Sequence, residues 1–219
     1  YEAIGNDVIS ECKRLNIKSL FLIDNWDNLS SKSVLWQKPS YISVWGDQSK
    51  AHAMEIQGMQ DNQIYKLGTP RFNSYFMHRD EDLKSPYPYR YILFVGTTLP
   101  FNEAYALYMM DKVIDSNQST FPNTKIIYRP HPWRQGTDSI SKFSLRHVIV
   151  DKQLRESYFK QDFSENIQPE ISYYPQLLQN AEFVTGGLTS MVIEATIFRQ
   201  PFIALVHEDD SPVTTPKNI

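Results

Sequence analysis

Residues 181–206, AEFVTGGLTSMVIEATIFRQPFIALV, leave this chain few folds to choose from. A short apolar run, Phe183–Thr185, stops at two glycines; apolar residues at helical spacing begin at about Thr189; a second apolar run, Pro201–Val206, follows. Two buried strands joined through a helix make a β–α–β unit, the building block of parallel sheets. The glycines let the backbone turn sharply and approach a ligand closely. Thr189 can cap the helix, whose start offers free N–H groups and a partial positive charge suited to phosphate. Ser190 and Glu194 are four residues apart and share a helix face, the carboxylate one turn below the anion-binding end. That pairing suits a nucleotide diphosphate and its ribose hydroxyls. It equally suits an ordinary β–α–β unit in which Glu194 is solvated or salt-bridged.

The remainder of the chain repeats the alternation. Residues 3–15 carry Ile4, Val8, Ile9, Cys12 and Leu15 at helical spacing, followed by SLFLID, a continuous apolar strand of the kind covered on both faces. Just past its carboxyl end lies NWDNLSSKS, where open α/β sheets bind ligands. Asp24, Asn25, Asp27, Asn28 and Lys32 are candidates for substrate contact there, although such residues also favour turns. A strand at Tyr41–Trp45, a helix at Asp47–Gln57 and a strand at Gln63–Leu67 come next, closing on GTPRFNSYF. Residues 71–90 are polar, aromatic and broken by Pro86 and Pro88, which predicts a linker. A new alternation starts with strand YILFVG, turn Gly96-Thr97-Thr98 and a helix from about Glu103 to Asp115. Then come strand TKIIY, the segment RPHPW, a strand at His147–Val150 and a short helix near Tyr174–Asn180. Strands and helices at this spacing predict a doubly wound, mostly parallel sheet.

RPHPW at 129–133 is the second strong signal. Two prolines fix the backbone on either side of His131, which can donate a hydrogen bond to a phosphate, while Arg129 or Arg134 can add charge. A structural loop around a satisfied histidine is the other reading. Thr97 and Thr98, also beyond a strand end, could supply hydroxyl and N–H donors to the same phosphates. No phosphate loop of the form G-x-x-x-x-G-K-[ST], no G-x-G-x-x-G after a strand and no G-x-S-x-G elbow occur. The five histidines lack metal-ligand spacing, so neither a metal nor a cofactor is expected. A net charge of −3 without basic runs argues against a nucleic-acid binder. The single Cys12 excludes an internal disulfide and fits a reducing compartment. With no apolar run of ~18–20 residues to span a bilayer, a cytoplasmic protein is expected, up to peripheral association with the inner face of the membrane. Opening on a helix pattern without an initiator methionine suggests a fragment of a longer protein.

These residues together resemble the GT-B glycosyltransferase superfamily, particularly bacterial enzymes of surface and capsular polysaccharide synthesis. CDP-glycerol glycerophosphotransferases and UDP-GlcNAc 2-epimerases are its wider relatives. LGTPRF at 67–72 is similar to the element on which such proteins leave the N-terminal domain, and YRPHPW to the motif whose histidine meets the donor phosphate. GGLTSMVIEATIFRQPFIA is similar to the donor-binding strand–loop–helix, and LFLIDNWDNLSSK to a stretch facing the interdomain cleft. The resemblance implies Rossmann-like doubly wound parallel sheets of GT-B type, the first domain incomplete. Residues 1–75 would be the last part of an acceptor-side domain, 76–90 a linker and 91–219 the donor-binding domain. It implies a metal-independent glycosyltransferase moving a sugar from a nucleotide-sugar donor to a glycan or lipid-linked acceptor, inactive if the missing half is needed. A glycerophosphotransferase, a sugar-nucleotide epimerase or a non-catalytic nucleotide-binding module are the alternatives. The donor site would comprise Thr97, Thr98, Arg129, His131, Gly187, Thr189, Ser190 and Glu194. Asp24 or Asp27 would serve as base, and Asn25 and Lys32 would lie on the acceptor side.

Overall fold

The computed structural model describes residues 3–32, 34–97, 102–131, 140–160 and 172–206. The chain forms two compact units, Tyr1–Asn73 and Ser74–Ile219.

In the first unit, helix α1 (Ala3–Arg14) precedes strand β1 (Leu20–Leu22), followed by β2 (Tyr41–Val44), α2 (Asp47–Glu55) and β3 (Ile64–Lys66). The sheet order is β1-β2-β3, all parallel. Its core gathers Ile23, Leu29, Leu35, Ile42, Val44, Ala53, Met59 and Ile64. The apolar run of β1 predicted burial on both faces. Instead β1 is an edge strand, with Leu20 at 53 % and Leu22 at 56 % exposure. A run of apolar residues cannot by itself tell a central strand from an edge one. Residues 28–32 wind into a single π-helical turn, anchored by buried Leu29.

The second unit begins with α3 (Asn73–His78, its first residue closing the first unit) and continues through β4 (Arg90–Val95), α4 (Glu103–Ser116), β5 (Thr124–Arg129) and β6 (Val148–Val150). After these come α5 (Arg155–Lys160), α6 (Tyr173–Gln179), β7 (Val184–Gly186), α7 (Met191–Ile197) and β8 (Phe202–Ala204). Five parallel strands lie in the order β6-β5-β4-β7-β8. Alternate residues of β4 and β5 supply the two faces, as strand geometry requires. Ile92, Phe94, Ile126 and Tyr128 pack with Ala104, Leu107 and Ile114 of α4. On the opposite face, the Tyr91 hydroxyl donates to the Leu177 carbonyl of α6 at 2.7 Å. Helices on both faces of a parallel sheet make the unit doubly wound.

Residues 74–90, most of the segment expected as a linker, belong to this unit. Tyr75 and Tyr87 are buried, Leu83 N–H donates to Gln179 Oε1 at 2.9 Å, and the Asn180 side-chain amide donates to the Leu83 carbonyl at 2.9 Å. These bonds hold the segment as a strap against the end of α6. Among the described residues, no helix is long and apolar enough to cross a membrane.

Beneath that strap, Tyr87, Tyr91 and Tyr173 form a connected set: the Tyr173 hydroxyl donates to that of Tyr87 at 3.1 Å, and the Tyr87 and Tyr91 rings meet edge-on at 5.4 Å. Burial pushes all three phenols above their ordinary value of 10.0. Because the folded values are raised, the stability from keeping these phenols neutral is fully present below about pH 10 and is lost as pH climbs towards the folded values. Absorbance at 295 nm followed with circular dichroism should show a group of tyrosines that ionises only as the second unit unfolds. Smooth ionisation of every tyrosine near pH 10 with the fold intact would contradict this.

Candidate functional site

Where strand order reverses in a parallel sheet, the loops after neighbouring strands diverge and leave a crevice. Here the chain runs β4, β5, β6 towards one edge, then returns to place β7 on the other side of β4. Gly96-Thr97, Pro130-His131 and Gly187–Ser190 therefore all leave the sheet at its carboxyl edge around this reversal. The two strong sequence segments, RPHPW and the glycine turn of 181–206, meet there.

Close packing holds the three loops together. Gly96 N–H donates to the Arg129 carbonyl at 2.8 Å, and a Cβ on Gly96 would fall 2.6 Å from the His131 backbone nitrogen. Gly186 has φ +146°, and a Cβ there would lie 2.2 Å from the Val95 carbonyl oxygen. At Gly187 a Cβ would come within 2.8 Å of Thr97 Cγ2. Thr97 is buried, and its N–H donates to Glu103 Oε1 at 2.8 Å, while the Tyr128 hydroxyl donates to Glu103 Oε2 at 2.6 Å. Glu103, expected only as the first residue of a helix, is thus a buried carboxylate bracing the turn.

The loop after β7 differs in one respect from its prediction. Thr189 was expected to cap a helix; α7 instead starts at Met191, with Ser190 at the cap position and no side-chain capping bond. At seven residues α7 sums few peptide dipoles, so hydroxyls and loop N–H groups outweigh any end charge. Thr98 and Arg134 lie outside the described residues.

Arg129 and Glu194 both occupy the interior. Arg129, 6 % exposed, donates through Nη1 to Asp151 Oδ2 at 3.1 Å and through Nη2 to the Tyr174 hydroxyl, with its guanidinium 4.3 Å from that ring's centre. Asp151 is fully buried at the end of β6 and also accepts from Gln153 N–H at 2.9 Å. Glu194, 2 % exposed, accepts from the Tyr75 hydroxyl at 3.1 Å. The Tyr75 ring lies 6.4 Å from that of Tyr174 and 5.9 Å from that of Phe198. Burial raises the Tyr174 phenol above its ordinary value; Arg129 opposes that rise and Glu194 adds to it. A chain Asp151–Arg129–Tyr174–Tyr75–Glu194 therefore runs beneath the loops. Asp151, Tyr75 and Tyr174 stood in no recognisable motif, and only their polarity inside apolar surroundings could have flagged them.

In the first unit, the residues after β1 and β3 converge. Arg71 Nη1 donates to Asn25 Oδ1 at 3.0 Å, joining LFLIDNWDNLSSK to LGTPRF. Asn25 Nδ2 donates to Asp24 Oδ2 at 3.2 Å, and Asn25 N–H to Asn28 Oδ1 at 2.5 Å. Lys32 pairs with Asp27 Oδ2 at 3.0 Å. Trp45, just past β2, donates from Nε1 to the Ile23 carbonyl at 2.9 Å and meets Phe72 edge-on at 5.4 Å. Asp24 is exposed, whereas the Asp27 side chain is only 16 % exposed. Among the described residues, no group of three His, Cys, Asp or Glu side chains could hold a metal.

No family model and no curated protein matches this sequence. Among solved structures, the chain is similar to S. aureus MnaA in its co-structure with UDP, with a TM-score of 0.56 at 11 % identity. A second likeness, TM-score 0.50 at 11 % identity, is to a putative UDP-N-acetylglucosamine 2-epimerase from Listeria monocytogenes. The alignments cover 95 % and 94 % of this chain but only 59 % and 62 % of those structures. At this identity the likeness is one of fold. The fold is α/β, Rossmann-like and of GT-B type.

The glycine geometry sets an order of sensitivities. Gly186→Ala forces a side chain into positive φ against a backbone carbonyl and should cost about 2–4 kcal/mol. Gly187→Ala meets only a threonine methyl and should cost less. Thermal melts that rank the two the other way would refute this account. For the buried ion pair, Asp151→Ala should destabilise by about 3–5 kcal/mol, because it strands the guanidinium of Arg129. Adding Arg129→Met should recover part of that loss, as a double-mutant cycle in urea would measure.

Proposed function

We propose that this chain is the nucleotide-sugar-handling part of a glycosyl-transferring enzyme, with the donor held by the second unit. The observation that carries this reading is the convergence of Gly96-Thr97, His131 and Gly187–Ser190 at the reversal point of a parallel sheet. The fold likeness to a UDP-bound protein supports it. Backbone N–H groups of the Gly187–Ser190 loop, the hydroxyls of Thr189 and Ser190, and His131 would meet the diphosphate. Thr98 is proposed to join them. Glu194 would accept from the ribose hydroxyls, as a desolvated carboxylate whose hydrogen bonds are stronger than in water. Arg129 contributes through the network beneath the loops rather than as a free clamp.

In the reaction, an acceptor hydroxyl oxygen bonds to the anomeric carbon while the bond from that carbon to the donor's phosphate oxygen breaks. The electron pair leaves with the nucleotide, whose growing charge the donor loops neutralise. The acceptor's proton passes to a carboxylate of the first unit. Asp24 is the proposed base of the two, since Lys32 already holds one oxygen of Asp27. Asn25 and Lys32 would orient the acceptor.

Epimerisation of a sugar nucleotide is the second reading, favoured by the Listeria neighbour's description. Incubating the whole protein with UDP-sugars, with and without glycan acceptors, separates the two: transfer releases UDP only with acceptor, whereas epimerisation interconverts the sugars without one. Calorimetric titration of this chain with CMP, CDP, UDP and GDP tests the site itself. One nucleotide should bind saturably, and His131→Ala or Ser190→Ala should each weaken it by about tenfold. Unchanged affinity in both variants would remove the site assignment.

A further inference from the structure

A carboxylate that recognises a ribose must hold one orientation, and Glu194 has a partner suited to enforcing it. The Tyr75 hydroxyl donates to Glu194 Oε2 at 3.1 Å, and both groups are buried. Tyr75 is buried, and its ring packs against those of Tyr174 and Phe198, at 6.4 Å and 5.9 Å. Tyr174 is in turn fixed by the guanidinium of Arg129, which Asp151 anchors. The orientation of one carboxylate oxygen is therefore set by a rigid train of side chains that begins at the end of β6. A two-χ aromatic donor loses little freedom in this packing, so the bond it makes is directional.

We propose that Tyr75 is a positioning residue that aims the Glu194 carboxylate and thereby sets how well the second unit tells a ribose from a 2′-deoxyribose. This rests on the reading of Glu194 as the ribose acceptor. Tyr75 stands outside the donor loops, on the short helix α3 that opens the second unit. With its hydroxyl removed, the ring still fills its place between Tyr174 and Phe198, and the carboxylate keeps its burial. What is lost is the bond that fixes Oε2 and helps select the rotamer of Glu194. A rotamer spread weakens a hydrogen bond to a fixed hydroxyl without touching the phosphate contacts.

The test compares UDP with 2′-deoxyuridine diphosphate by calorimetry on wild type, Tyr75→Phe and Glu194→Gln, alongside thermal melts. Wild type should prefer the ribonucleotide by about tenfold, the scale of one charge-assisted hydrogen bond. Tyr75→Phe should reduce that preference to about threefold or less, with affinity for the deoxynucleotide unchanged. A purely structural tyrosine would lower the melting temperature and leave the ratio alone. Should Glu194→Gln abolish the preference while Tyr75→Phe retains it, the positioning role is overturned and the reading of Glu194 survives. Should wild type show no preference, or Glu194→Gln keep it, Glu194 is not the ribose acceptor and the role of Tyr75 falls with it.

Discussion

Between Val95 and Gly186 two neighbouring strands meet with no room for a side chain. The space that a Cβ would need is filled by the Val95 carbonyl oxygen, and the residue that tolerates this sits at φ +146°. The close approach lets β7 pair with the last three residues of β4, up to Val95 opposite Gly186. Because pairing continues to the strand ends, the loops that follow are forced to separate immediately, one through Gly96-Thr97 and the other through Gly187-Leu188. A longer side chain at 186 would end the pairing early and blunt the divergence. The divergence of the loops at the sheet's reversal thus begins at this backbone contact.

Below those loops the protein places charge where it is most expensive. Removing Arg129 and Asp151 from water carries a desolvation penalty that their attraction offsets only with good geometry and further hydrogen bonds. Both conditions are met: Asp151 receives a backbone N–H besides the guanidinium, and Arg129 has a phenol for its second nitrogen and a ring face beneath it. Glu103 and Asp111 follow the same rule. Glu103 binds the Thr97 N–H and the Tyr128 hydroxyl, and Asp111 accepts from the backbone N–H groups of Arg146 and His147 at 3.0 and 2.7 Å. Each buried acid secures a segment that regular secondary structure leaves loose: the turn after β4, the entry to β6, the exit from β6. A partly satisfied network would be worse than an apolar core, so these residues stand or fall together.

The elements were legible in the sequence wherever period and punctuation agreed. Apolar strands ending at Gly96, at Pro130 and at Gly186-Gly187 gave the parallel sheet, and the helical spacing after Glu103 gave α4. The loops at the carboxyl edge of the second sheet could be read for the same reason, since glycine and proline act locally. Exposure could not be read: the run at Leu20–Leu22 looks the same whether or not a neighbour covers it. Residues 71–90 looked like a linker because prolines and charges signal irregular backbone, yet irregular backbone can be pinned by side chains far along the chain, as Gln179 and Asn180 pin Leu83. Tyr75, Asp151 and Tyr174 were invisible because their partners are 119, 22 and 45 residues away. Sequence pattern reports periods, not pairings.

That distinction bears on the arginine of RPHPW. Its place near a histidine at a strand end suggests a phosphate clamp, and strand alternation directs its guanidinium to Asp151 and Tyr174. Arg129 is the last residue of β5 and points with Ile127 to the face covered by α6, where Asp151 and Tyr174 await it. His131, two residues on and beyond the strand, is freed from that alternation by Pro130. A diphosphate at this edge would then meet neutral or titratable donors in the described loops, with the guanidinium positive charge one layer below and already balanced by a carboxylate. Binding of this kind depends on the number and direction of N–H and O–H groups more than on net charge, which is the arrangement that an almost neutral chain without basic runs can supply.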